Sequence, residues 1–157
     1  MNIEIEMENG GIIKAELYPD TAPITVENFV SLIEDNFFDG LIFHRVIPGF
    51  MIQGGGYTAD GSHKDAPSIK GEFDKNGVPN PLKHTRGVLS MARTMFPNSA
   101  SSQFFIMHED APHLDGQYAA FGMVTDGMDV VDEIAEASTD MQDKPIENQV
   151  IKTIRLI

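Results

Sequence analysis

Near the start of the chain, Ile3, Ile5 and Met7 alternate with Glu4, Glu6 and Glu8. That two-residue period predicts a half-buried strand over residues 2–8. Asn9-Gly10 is a hairpin signal, and residues 11–17 return as a second strand that Pro19 ends. A helix is predicted to follow, with Thr21 as its cap and Pro23 in the first turn. Val26, Phe29, Val30 and Ile33 recur at helical spacing and give it one apolar face, and it ends near Asp35-Asn36. After the Asp39-Gly40 turn, residues 43–47 alternate again, which predicts Phe43, Arg45 and Ile47 on one face. Pro48, Gly49 and Phe50 make a short hairpin loop, and Met51 and Gln53 share a face beyond it. With that loop length Ile47 lies opposite Met51, and Arg45 opposite Gln53, within contact distance. A guanidinium and an amide then stand side by side next to a thioether and a phenyl ring. That surface suits an apolar ligand bearing an amide.

Residues 54–86 show weak hydrophobic patterning and many glycines, prolines and charges. They read as a long surface loop tethered by Ile69 and Phe73, and loops of that length are often functional. A buried strand is predicted over residues 87–92. Another covers 103–107, with Gln103 and Phe105 on one face and Phe104 and Ile106 on the other. A further strand runs from Tyr118 to Val124. Met128, Val131 and Ile134 place a short helix between Asp126 and Ala137. Residues 146–156 give the last strand, with Val150, Lys152 and Ile154 at alternate positions. About seven or eight strands with mostly antiparallel connections are compatible with a sandwich or with a closed barrel.

Composition narrows the function classes. A chain of 157 residues with 41% hydrophobic residues is a globular chain near the usual size of one domain, here 1–157. No apolar run approaches the ~18–20 residues of a membrane helix, and the acidic, alternating N-terminus has no signal-peptide character. The chain has no cysteine, which excludes disulfides and thiolate chemistry, and a cytoplasmic protein is expected. A net charge of −13 repels phosphate backbones and anionic membranes, so neither nucleic acid nor membrane is expected as a partner. Lys83-His84-Thr85-Arg86 is one candidate for a local basic patch. The five histidines form no recognised metal-ligand spacing. Ser90 and the serines at 99, 101 and 102 lie in no nucleophile elbow. Gly54-Gly55-Gly56 lacks the Lys-Ser/Thr ending of a phosphate loop.

Three blocks in order carry a family resemblance: residues 43–55; residues 83–106, from Lys83-His84-Thr85 through Leu89-Ser90-Met91-Ala92 to Ser102-Gln103-Phe104-Phe105-Ile106; and Leu114-Asp115-Gly116 with Phe121-Gly122. The opening hairpin and the helix with Glu27-Asn28-Phe29 fit too. The chain resembles the cyclophilin-type peptidyl-prolyl cis–trans isomerases over nearly its whole length, and Met91-Ala92-Arg93-Thr94 with its short loops is similar to the bacterial single-domain branch. The resemblance implies a mainly β fold: a closed eight-stranded antiparallel barrel capped by two α-helices, with the active groove on its outer face. It implies rotation of X–Pro bonds without cofactor or metal, acting on proline-containing polypeptides, in a monomer. Arg45 matches the catalytic arginine. Phe50, Met51, Phe105 and Leu114 match the walls of the proline pocket, and Gln53 and Gln103 its polar neighbours. Ala92 and the main chain of Arg93 match the segment that binds the residue before proline. Arg93 stands where many eukaryotic members have Asn. His113 and Tyr118, also assigned to the groove, stand where many members have Trp and His, so only weak cyclosporin A binding is expected. The alternative function is a proline-peptide binding module or chaperone that does not accelerate rotation.

Overall fold

The computed structural model describes every residue, Met1–Ile157. Strands β1 (Asn2–Met7) and β2 (Ile12–Leu17) form the predicted hairpin, with Ile5 opposite Ile13. Helix α1 (Pro23–Glu34) leads to β3 (Leu41–Ile47) and β4 (Met51–Thr58). Strands β5 (Val88–Met91), β6 (Phe104–Met107) and β7 (Ala120–Asp126), helix α2 (Met128–Ala135) and β8 (Ile151–Leu156) complete the chain. The eight strands form one sheet in the order β3-β4-β6-β5-β7-β2-β1-β8, antiparallel throughout. Its two edges approach each other: Ile42 bridges Val150, and the amide of Phe43 donates to the Gln149 carbonyl at 3.0 Å. The result is a nearly closed barrel, which resolves the choice between sandwich and barrel and leaves little unpaired strand edge.

The interior is solid. Phe29 of α1 meets the rings of Phe38, Phe104 and Phe121 at 5.0, 5.2 and 5.1 Å. Val131 and Ile134 of α2 join the same cluster. A second, smaller apolar cluster lies apart from it, built on Met51, Phe105, Met107, Leu114 and Ala120. It is set by the strand period. Phe104 and Ile106 turn into the barrel, while Phe105 and Met107 face the other way, as the alternation predicted. Neither helix, of 12 and 8 residues, is long and apolar enough to cross a membrane.

Several local expectations are corrected. Thr21 does not cap α1. The cap position is Ala22, which makes no side-chain bond, and the helix end is satisfied from a distance. The Thr25 amide and hydroxyl both donate to Oε1 of buried Glu72, at 2.6 and 2.7 Å. The glycine run 54–56 belongs to β4, so the loop begins after Thr58. A Cβ on Gly54 would stand 2.8 Å from the Ile42 carbonyl oxygen, and one on Gly55 would stand 2.9 Å from the Ser102 oxygen, so the strands pack too closely there for side chains. Ile69 and Phe73 do tether the loop: Ile69 bridges Ala100, and Phe73 reaches the barrel core. The last strand starts at Ile151 rather than at exposed Ile146. An irregularity at Glu6/Met7 turns both Ile151 and Ile154 inward, which breaks the expected Val150, Lys152, Ile154 alternation.

Candidate functional site

The β3–β4 hairpin has the predicted register, with Ile47 opposite Met51 and Arg45 opposite Gln53. Phe43 departs from it. It pairs with Gly54 while Arg45 pairs with Gln53, so β3 carries one extra residue at His44. That bulge inverts parity. Phe43 enters the core, edge-on to Phe104 at 5.9 Å, and Arg45 stays exposed on the outer wall.

Polar side chains line up from Arg45 across two strands. Arg45 Nη1 donates to Gln53 Oε1 at 3.4 Å, and Gln53 Nε2 donates to Gln103 Oε1 at 2.9 Å. Gln103 lies across Gly56, where a Cβ would meet its Cγ at 2.5 Å. Arg45 forms no ion pair. Next to it is a cleft of about 210 Å³. Met51 and Phe105, both from the outer apolar cluster, border it with Phe50, Leu114 and Tyr118. Arg45, Gln53, Ala92 and Arg93 complete the lining. Nine of the eleven residues assigned from sequence thus meet at one cleft. Gln103 borders instead an adjoining polar cavity of about 400 Å³, which shares Gln53, Ala92 and Arg93 with the cleft. His113 is exposed and outside the lining, its ring 5.8 Å from that of Phe50.

The walls are held from behind by residues that the sequence reading did not assign to the cleft. His84 is 1% exposed and stacks on Phe105 at 6.0 Å and 20°. Its Nδ1 lies 3.0 Å from Asp115 Oδ1 and its Nε2 lies 2.9 Å from Ser90 Oγ. Burial pulls its pKa below the usual histidine range even though Asp115 acts in the opposite direction. The neutral ring therefore donates from Nδ1 and accepts the Ser90 hydroxyl at Nε2. Ser90, His84 and Asp115 follow the order of a hydrolase triad, but Ser90 is 0% exposed and has no access to a substrate. Of the candidate basic patch at 83–86, His84 is buried and both terminal nitrogens of Arg86 bond Asp132 at 2.8 Å.

Two further devices fix the rim. The Arg93 guanidinium is stacked between Phe73 and Tyr118, 4.6 and 4.7 Å from the ring centroids. Its Nε and Nη2 donate to the Gln117 carbonyl at 3.2 and 2.6 Å. At the other rim, the amide of Gly49 donates to His108 Nδ1 at 2.8 Å, and the His108 amide donates to the Phe50 carbonyl at 2.9 Å. The hairpin loop that presents Phe50 is thereby anchored to β6.

A family model for the cyclophilin type peptidyl-prolyl cis–trans isomerases matches residues 2–156. The chain is 50% identical to a peptidyl-prolyl cis–trans isomerase of Acinetobacter baylyi over 145 residues, which cover 88% of this chain and 74% of that protein. It is 42% identical to peptidyl-prolyl cis–trans isomerase B of Escherichia coli, covering 93% of this chain and 94% of that one. Among solved structures it is similar to a Cryptosporidium parvum cyclophilin type peptidyl-prolyl cis–trans isomerase in the presence of the dipeptide Ala-Pro. The TM-score is 0.83, with 32% identity over 98% of this chain and 97% of that one. With an outward arginine beside an apolar cleft on an eight-stranded barrel, and with a family match over residues 2–156 and relatives covering 88% or more of the chain, the chain belongs to the cyclophilin-type peptidyl-prolyl cis–trans isomerases.

Proposed function

We propose that Arg45 is the catalytic residue of this isomerase, and that the cleft walled by Phe50, Met51, Phe105, Leu114 and Tyr118 holds the proline ring. Rotation about an X–Pro amide meets a barrier of ~18–20 kcal/mol because planarity carries the resonance. In the twisted state that resonance is lost, and the proline nitrogen gains a localised lone pair. The amide is then less polar, so an apolar cleft favours it. A guanidinium beside that nitrogen donates to it only while the lone pair exists, which stabilises the transition state above the ground state. One charge-assisted hydrogen bond of about 1.5–3 kcal/mol corresponds to roughly ten- to a hundredfold in rate. Gln53, Gln103 and the main chain at Ala92 and Arg93 hold the residue before proline, so that one side of the bond turns while the other is fixed. No covalent bond is broken, so the step requires no cofactor.

The observation that carries this reading is the unpaired Arg45 guanidinium at the mouth of an apolar cleft. A module that only bound proline peptides would need the cleft and not the arginine. The test is Arg45→Ala, which is expected to fold normally and to lose about ten- to a hundredfold in kcat/KM on a prolyl peptide. Turnover near that of the parent protein would refute the role. The substrates we assign are proline-containing segments of folding or flexible polypeptides, met in the cytoplasm by a monomer formed of the single domain 1–157. The Cryptosporidium relative, whose structure was determined in the presence of the dipeptide Ala-Pro, supports that substrate class. Cyclosporin A is expected to inhibit weakly, because His113 offers only an exposed imidazole at the rim. His113→Trp is expected to tighten inhibition, and an unchanged inhibition constant would place the cyclosporin contact elsewhere.

A further inference from the structure

A third cavity, of about 390 Å³, meets the proline cleft at Arg45 alone. It lies beside β3 where the 140–146 segment docks, the Val46 amide donating to the Asp143 carbonyl at 2.8 Å. Its polar lining is His44, Arg45, Tyr57, Gln142 and Lys144, with no carboxylate among the lining residues. In a chain with 24 acidic and 11 basic residues, that is a local reversal of sign. Neither full cation is paired. Arg45 bonds only Gln53, and the Lys144 ammonium only Asn148 Oδ1 at 3.3 Å. Two carboxylates on the flanking turns are committed locally. Asp140 accepts the amides of Gln142 and Lys144 at 2.8 and 3.1 Å, and Asp60 accepts the Thr58 hydroxyl and the Ser62 amide.

His44 borders the same cavity. Its Nδ1 is buried and has no hydrogen-bond partner. The ring is held against Tyr57, with centroids 4.6 Å apart. Burial, then the charges of Arg45, His63 and Lys144, push its pKa down to about 4, so at pH 7 it is a neutral group with a donor to offer.

We propose that this cavity is a subsite for a carboxylate side chain on the C-terminal side of the substrate proline. The inference rests on the isomerase reading above, with the residue before proline over Ala92 and Arg93. The chain leaving the proline then passes Arg45 and reaches Lys144. A guanidinium has several donors in one plane, so a carboxylate bound on its outer side leaves others aimed at the proline nitrogen. The gain falls on binding, not on rotation.

The test uses short Ala-Pro peptides with Glu or Gln at each of the first three positions after proline. Titration by NMR reads affinity, and exchange spectroscopy on the same samples reads rotation. Glu is expected to bind about two- to fivefold more tightly than Gln at one of these positions, the upper range of an exposed ion pair. Salt at about 0.5 M should shrink that ratio. Lys144→Gln should abolish it, and Lys144→Glu should reverse it. Equal affinities at all three positions overturn the subsite, as does a preference that survives both variants. Failure of every peptide to rotate faster would count against the isomerase reading instead, and the affinity ratio would still decide the subsite.

Discussion

His84 supports the back of the cleft proposed to hold proline, through both ring nitrogens and one ring face. Replacing it with Ala leaves a cavity behind Phe105 and strands the Ser90 hydroxyl. We expect His84→Ala to lose about 2–4 kcal/mol of stability in urea unfolding. KM for a prolyl peptide should rise roughly fivefold, as Phe105 loses its backing. The same stability loss with an unchanged KM would show that Phe105 is held by its other neighbours. The Arg45–Gln53 pair was legible in the sequence because a three-residue hairpin loop sets which side chains face each other. His84 was not legible, because its partners stand 6 and 31 residues away and its neighbours Lys83 and Arg86 suggest a solvated basic surface.

Helix α1 shows how an element can lack a local reason for its own start. Its cap residue makes no side-chain bond, and the Thr25 amide and hydroxyl are satisfied by Glu72 from the loop 47 residues later. Asn80 fixes that loop segment in turn, donating to the carbonyls of Glu72 and Ala120 at 2.9 Å each. Glu72→Ala is therefore expected to cost about 2–3 kcal/mol. Glu72→Gln, which keeps an acceptor, should recover most of that in urea denaturation. If the two variants are equally unstable, the acceptor is not what matters. The elements themselves were readable from period and turn residues. What was hidden was parity at the bulges. One extra residue at His44 sends Phe43 inward and Arg45 outward, and no two-residue period contains that information. The glycine strand was hidden for a related reason, since bare backbone leaves no hydrophobic pattern to read.

For the molecule as a whole, acid is the expected weakness. His44 and His84 both have folded-state pKa values below the unfolded value near 6.5, to about 4 for His44. The unfolded chain therefore binds more protons in that window, and stability falls as pH drops below about 6.5. Hydrogen bonds from Arg86 lower Asp132, and the Thr58 hydroxyl bond lowers Asp60 to about 2, so further loss follows as the pH falls below about 4. Between pH 7 and pH 5 the His44 shift corresponds to about 1–2 kcal/mol after screening at a half-buried ring. A urea midpoint that rises on acidification would contradict this. Relief of the −13 net charge acts in the opposite direction, but at physiological salt most of those surface charges are screened from one another. Finally, the proposed catalytic cleft lies on the outside of a barrel whose interior is filled, and it runs on into a cavity through Gln53 and Arg93 and into another through Arg45. It works as an open bench, with no sleeve to thread. A polypeptide can be laid across it in the middle of its length, with folded portions hanging off both sides, so the enzyme can reach proline bonds that have no free end nearby.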